Sequence, residues 1–390
     1  MTTAHVTSNR SWRAWFALSA VAAFVLCSAR PAGAQVTPAA GYTPPDDTPS
    51  IKIGAVIFAD YTYQQKPLGK DADGNDINPN SFNVARSYIN VTGNISHIVA
   101  FRITPDVTRE SGTGSSLAGS MTFRLKYAYA QFNLDDWLPK GSFVRLGIQQ
   151  TPFIDSIESI YRYRFQGTVF PEREGYMSSA DAGVSFRTTF PNNYGDVHVG
   201  FYNGEGYSKA EANDQKSFQV RVGFRPMPRH PIMKGWRLQG FYTADNVQQN
   251  AERKRAIFNT TFEHKYLNIG FDYLDTKDQS SAKVKSTDLH GKGWSVWATP
   301  KMVWPNGSSL EALLRYDHME PNNEVTTVGG STIAGTGINK RTIGGIAYWF
   351  PKQGSVSSAL LFDVENVTSE QYTPAKPTQQ KVFVHMLVTF

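Results

Sequence analysis

From Ile51 to Phe390 the chain is built of segments of roughly ten residues in which apolar and polar side chains alternate. The last, KVFVHMLVTF, puts Val382, Val384, Met386, Val388 and Phe390 on one face, and Lys381, Phe383, His385, Leu387 and Thr389 on the other. A period of two is the signature of a strand with two different faces. The same pattern predicts strands over 51–63, 83–92, 97–107, 121–133, 142–151, 182–190, 196–204, 217–225, 235–244, 253–264, 266–276, 290–301, 309–319, 339–350, 355–366 and 380–390. Each is near the ~9–11 residues that cross a bilayer as a tilted strand. Beyond residue 35 no apolar run approaches the ~18 residues a membrane helix needs.

The connections alternate in length. Short ones fall at 93–96, 135–141, 191–195, 265, 304–307 and 351–354. Long ones fall at 64–81, 108–120, 152–181, 205–216, 245–252, 277–289, 320–338 and 367–379. Short turns at one end and long loops at the other are the arrangement of a transmembrane antiparallel β-barrel of about 16 strands. A soluble β-sandwich, the alternative, has no reason to alternate its loops in this way. Lipid offers no hydrogen-bond partners, so a spanning sheet must close on itself, and the last strand must pair with the first. An even strand count puts both ends on the short-turn side, with Phe390 in the interfacial aromatic girdle.

Residues 1–34 carry the marks of a cleaved signal peptide: Arg10 and Arg13, an apolar run over 14–27, and the small-residue site Ala32-Gly33-Ala34. Cleavage would take the single cysteine, Cys27, and three of the 39 basic residues but none of the 33 acidic ones. The mature charge is then 36 against 33, or +3, too mild to argue for a nucleic-acid partner. Residues 35–50 form a Pro-rich lead-in, and 51–390 the barrel. The expected location is the Gram-negative outer membrane, with lipid and lipopolysaccharide as surroundings.

With the more apolar face of each strand set against lipid, the charged residues point inward, because Arg or Lys near the midplane costs ~2–4 kcal/mol on the lipid side. Fourteen bases and seven acids then fall in the lumen, and before residue 260 nearly all inward charges are basic. The predicted anion path runs along Arg86, Arg102, Arg124, Lys126, Arg145, Arg187, Arg221 and Arg237. A positive wall in a narrow passage concentrates anions and repels cations. The alternative is that these arginines pair with lumenal acids and only hold the wall together. The longest loop, 152–181, has Ile154, Ile157 and Tyr161 at helical spacing and is expected to fold in and narrow the pore. Tyr161, Arg162, Tyr163, Arg164 and Arg173 are its constriction residues.

Here the chain resembles a known family. GIQQTPF (147–153) resembles the turn into the third loop of the phosphate-selective porins O and P, and FNVARSYINVTG (82–93) their Arg-containing second strand. SSADAGVSF (178–186), FYNGEG (201–206) and NDQKSFQVRV (213–222) follow in the family's order. The resemblance implies a homotrimer of sixteen-stranded anion channels with a basic constriction, passing phosphate or related small inorganic anions. It carries over Arg86, Arg102, Arg124, Lys126, Arg145 and the third-loop arginines. The family's acidic residue after Pro-Phe corresponds to Asp155 or Glu158.

Other classes find less support. No G-x-S-x-G or H-E-x-x-H occurs; His97 and His264 lie at turns, His230 in MPRHP, His198 on a face the alternation leaves open, and His385 faces inward with no clear serine partner, so an outer-membrane hydrolase is not expected. A non-selective or plugged structural barrel stays open. DADGNDIN (71–78) is acidic, but Gly74 and Phe82 sit wrongly for an EF-hand, so a solvated turn is read in place of a Ca²⁺ site. No metal or cofactor is expected.

Overall fold

The structure is a computed structural model that describes residues 47–110, 114–279, 288–323, 326–328, 331–333 and 337–390. The expected signal peptide and most of the expected lead-in lie outside the described residues. Sixteen antiparallel strands close into one barrel. In chain order they are β1 Ser50–Lys66, β2 Asn80–Asn94, β3 Val99–Arg109, β4 Met121–Asn133, β5 Phe143–Gln150, β6 Ala180–Thr189, β7 Gly195–Tyr202 and β8 Ser217–Phe224. The second half comprises β9 Trp236–Gln248, β10 Ala251–His264, β11 Leu267–Asp278, β12 Leu289–Val303, β13 Ser309–Glu320, β14 Ile338–Trp349, β15 Ser357–Glu370 and β16 Gln379–Thr389. All sixteen periodic segments are strands, and each is hydrogen-bonded to its sequence neighbours.

Closure is made by β1 and β16, paired from Val56↔Thr389 to Lys66↔Gln380. Phe390 extends the pairing by donating its N–H to the Ala55 carbonyl (3.0 Å) and accepting from the Ala55 N–H (2.9 Å). A Cβ on Gly54 would meet the Phe390 carbonyl oxygen at 2.6 Å, so the seam runs over a residue with no side chain.

The faces follow the alternation. Along β15, Leu360, Phe362 and Val364 are exposed while Ala359, Leu361, Asp363 and Glu365 are buried. Among the described residues the pairing register shifts at four places, and two of these bulges set the lumen. Between β1 and β2 the pairing steps from Ala59↔Val84 to Phe58↔Arg86, leaving Ala85 unopposed. Strict alternation would put Phe82, Val84 and Arg86 on one face. The bulge keeps Phe82 and Val84 exposed and turns Arg86 inward onto Asp106. Between β3 and β4 the step from Pro105↔Leu125 to Thr104↔Tyr127 leaves Lys126 unopposed. Lys126 and Tyr127, adjacent in sequence, are therefore both buried inside.

Loop lengths need one correction. The expected long connection 245–252 is a two-residue turn, Gln249-Asn250, because β9 and β10 extend toward each other; Asn250 takes the left-handed φ of 61°. On the opposite end, 225–235 is an eleven-residue connection with a 3-10 turn at Met233–Gly235. The segment 71–78 is a hydrogen-bonded turn in which Asp71 accepts from the backbone of Asp73 and Asn75 and from the Asn75 side chain.

At the short-turn end His97 clamps the lead-in. Its Nδ1 lies 2.5 Å from Asp47 and its Nε2 3.0 Å from Asp136. Hydrogen bonds to Asp47 and then Asp136 raise the imidazole above its ordinary value of 6.5, and the same bond to His97 lowers Asp47 below 3.8.

Two expectations follow. Gly54→Ala should weaken closure by about 1–3 kcal/mol and lower the temperature at which the folded band is lost on gels. Gly344→Ala, where a Cβ meets open space, should leave it unchanged. The His97 clamp is complete below pH 6.5, is lost as pH rises through the raised imidazole value, and is also lost in acid as Asp47 protonates. Amide protection factors at 47–50, corrected for the base-catalysed intrinsic exchange rate, should therefore be highest near pH 5 to 6 and lower at pH 8; equal protection factors would exclude the clamp.

Candidate functional site: the loop-filled lumen

The connection from β5 to β6 leaves the wall after Gln150; three residues earlier, within β5, Gly147 has a φ of +125° and a close approach to the Ala128 carbonyl that require glycine. Its base is pinched where Thr151 donates its side chain to the Ser178 carbonyl (2.7 Å). Pro152 then starts a short helix, α1 (Pro152–Glu158), which buries Phe153, Ile154 and Ile157; Phe153 packs on Phe241 of β9. Tyr161 lies beyond the helix. From there the chain alternates, with Tyr161, Tyr163 and Phe165 packed against Trp297 of β12 and Trp349 of β14. A second helical turn, α2 (Phe170–Arg173), precedes the return to β6.

Charge fixes the loop to the same wall. Glu311 of β13 accepts from Arg162 (3.2 Å) and from the Tyr163 hydroxyl (2.9 Å). Arg173 pairs with Glu365 of β15, and Arg341 of β14 with Glu174. Arg315, locked on Asp317 at 2.8 Å, also donates to the Thr168 carbonyl at 2.9 Å. Arg164 stays within the loop on Glu158 (2.6 Å). Of the five residues expected to form the constriction, Tyr161 and Tyr163 are 1% exposed and act as anchors, Arg173 is half-buried in its pairing with Glu365, and Arg162 lies over the Trp349 ring at 3.9 Å. Arg164 lines the smaller of the two cavities beside α1.

The opposite wall carries the expected arginines, but not as an unopposed row. Arg86 and Arg124 share Asp106 at 2.7 and 2.9 Å. Arg187 (2.6 Å) and Arg221 share Asp196, and Arg237 holds Glu263 at 2.5 Å. Arg145 donates to Gln131 (2.8 Å), with Asp155 at 4.0 Å. The count of nearly all-basic inward charge before residue 260 is thus corrected: Asp106 and Asp196 alternate into the lumen in phase with Arg102 and His198. His198, whose face the sequence left open, is buried against Ser185 (3.1 Å). Tyr207, on the loop after β7, is a contact that sequence reasoning missed; its hydroxyl reaches Arg86 and Asp106 at 3.2 Å.

Two cavities flank α1. One of about 560 Å³ faces the short-turn end and is lined by Lys140, Arg187, Arg221, Arg225, Arg237, Asp155 and Asp196. The other, about 290 Å³, lies against β1–β4 and is lined by Phe58, Tyr88, Arg102, Lys126, Tyr127, Asp155, Glu158 and Arg164. Asp155 and Ser159 border both. Periodicity pointed to the wall cations. The alternation gave no signal for Asp155 and Ser159, because they are placed by how the loop folds.

No family model and no curated protein matches the sequence. The fold is shared with solved outer-membrane proteins. An anion-selective porin from Comamonas acidovorans matches with TM-score 0.56 and 11% identity over 88% of this chain and 100% of its own. The outer membrane channel DcaP of Acinetobacter baumannii gives 0.55 and 10% over 90% and 100%. A loop-deletion mutant of OmpT, an outer membrane protein of Vibrio cholerae, gives 0.55 and 13% over 88% and 100%. At these identities the likeness concerns the barrel architecture.

The anchoring of the loop can be tested by proteolysis. Glu311→Ala removes the acceptor for the half-exposed Arg162 and for the buried Tyr163 hydroxyl, a loss of about 1–3 kcal/mol, which corresponds to roughly five- to a hundredfold more loop opening. Trypsin should cut the refolded wild type slowly after Arg162, Arg164 and Arg173, and the variant much faster; equal rates would mean the aromatic packing holds the loop alone.

Proposed function

We propose that the protein is an outer-membrane porin whose third loop narrows a water-filled passage with a preference for anions. One observation carries this reading. The barrel exposes apolar side chains outward, and the cavities left beside α1 are lined by eight bases (Lys140, Arg187, Arg221, Arg225, Arg237, Arg102, Lys126 and Arg164) against three acids (Asp155, Asp196 and Glu158). Cations in a low-dielectric passage raise the local anion concentration, and the shared carboxylates position the guanidinium groups without cancelling them. Arginine forks suit phosphate, the anion implied by the resemblance to the porins O and P. On this reading the first 34 residues export the chain, the apolar belt meets lipid and the lipopolysaccharide leaflet, and three copies associate. A plugged barrel is the competing outcome, and no catalytic role is assigned.

Single-channel recording under a KCl gradient tests it. Wild type should show a reversal potential of chloride preference, and phosphate should block the current. Arg187→Gln/Arg221→Gln leaves Asp196 uncompensated and should shift selectivity toward cations; Asp196→Asn should shift it further toward anions. Cation preference in the wild type, or no conductance, would overturn the proposal.

A further inference from the structure

The cations of the lumen are not alike. Arg86, Arg124, Arg187, Arg221 and Arg237 each hold a carboxylate of the wall. Arg102 and Lys126 are in no ion pair among the described residues. Arg102 is held by neutral groups, the Thr104 hydroxyl (2.9 Å) and the Asn90 side-chain oxygen (2.8 Å). Lys126 is 1% exposed, and its Nζ donates to the Tyr88 hydroxyl at 3.4 Å. A buried ammonium without a counterion is costly and is stabilised when an anion arrives.

Both cations flank one aromatic ring. The Arg102 guanidinium lies 4.4 Å and the Lys126 ammonium 5.4 Å from the centre of Tyr127, with Tyr88 4.9 Å from Lys126. The β3–β4 bulge creates this placement by sending Lys126 and Tyr127 to the same side. Phe58 and Val56 complete an apolar wall, while Asp155, Glu158 and Ser159 of the loop face it across the cavity. That arrangement suits inorganic phosphate poorly. A dianion would meet two carboxylates, and it has no surface for the rings to cover.

We infer that the smaller cavity binds small aromatic carboxylates bearing a hydroxyl or amino donor at the far end. The carboxylate sits between Arg102 and Lys126, the ring lies along Phe58, Tyr88 and Tyr127, and the donor meets Asp155 or Ser159. At about 290 Å³ the cavity is at the low end of small-molecule sites (~300–1,000 Å³) and takes one ring. The inference takes the porin reading as its setting and names a second solute class for it.

The test is titration calorimetry of the refolded, detergent-held protein with 4-hydroxybenzoate, with cyclohexanecarboxylate and inorganic phosphate as comparators. Saturable binding is expected, tighter than for cyclohexanecarboxylate and not displaced by equimolar phosphate. Lys126→Gln should weaken it about tenfold or more through loss of a charge-assisted bond. Tyr127→Leu should weaken it while keeping both cations, and the heat-modifiable gel shift verifies that each variant is folded. Absence of saturable binding, displacement by equimolar phosphate, or unchanged affinity in a folded Lys126→Gln would overturn the inference. Conductance is read separately: a protein that binds the ring but passes no current refutes the porin reading and leaves the site standing, whereas one that conducts without binding it refutes the site.

Discussion

A sheet that leaves an edge leaves a row of unpaired N–H and C=O groups, and in hydrocarbon each of those groups costs several kcal/mol. The pairing of β1 with β16 removes the edge, and the other features of the molecule follow from it. It requires an even number of strands, brings both ends of the barrel to the short-turn side, and makes the last residue part of the ladder through Phe390 and Ala55. It also creates an interior too wide for the wall side chains to fill, since barrels much above eight strands enclose a lumen. The third loop occupies that space.

The loop is attached asymmetrically. On the side of β12–β16 it meets Trp297, Trp349 and the carboxylates Glu311 and Glu365, so aromatic packing and charge act together. On the side of β1–β9 the wall carbons are replaced by arginine and lysine, many already committed to Asp106, Asp196 and Glu263. Arg162 and Arg173 of the loop go to the acidic wall, while α1 and the residue after it present Asp155, Ser156 and Ser159 to the basic one. Both cavities beside α1 lie where the wall cations outnumber the loop carboxylates.

How much of this was legible in the sequence depends on which physical term decides each feature. Strands were legible because a two-faced environment imposes a period of two, and KVFVHMLVTF carries that period to the final residue. The folding-in of residues 152–181 was legible from length alone. The bulges at Ala85 and Lys126 were not, because an unopposed residue is set by the partner strand and leaves no trace in its own alternation. Asp106 and Asp196 were in phase with inward neighbours and could have been counted, but their partners depend on register. Tyr161 and Tyr163 read as pore residues because they stand among arginines, yet their large apolar faces take them to the tryptophans of the far wall.

These misses have a common consequence for selectivity. A tally of lumenal charge treats every arginine as equivalent, whereas a passing solute meets only what the fold leaves uncommitted. Paired guanidiniums such as Arg187 and Arg221 still project a field, but their forks are partly occupied by Asp196. Arg102 and Lys126 are held by amide, hydroxyl and ring faces and are committed to no carboxylate among the described residues. On the proposed porin reading, long-range attraction and local recognition would fall to different residues on the same wall. The division comes from two backbone irregularities rather than from the abundance of basic residues.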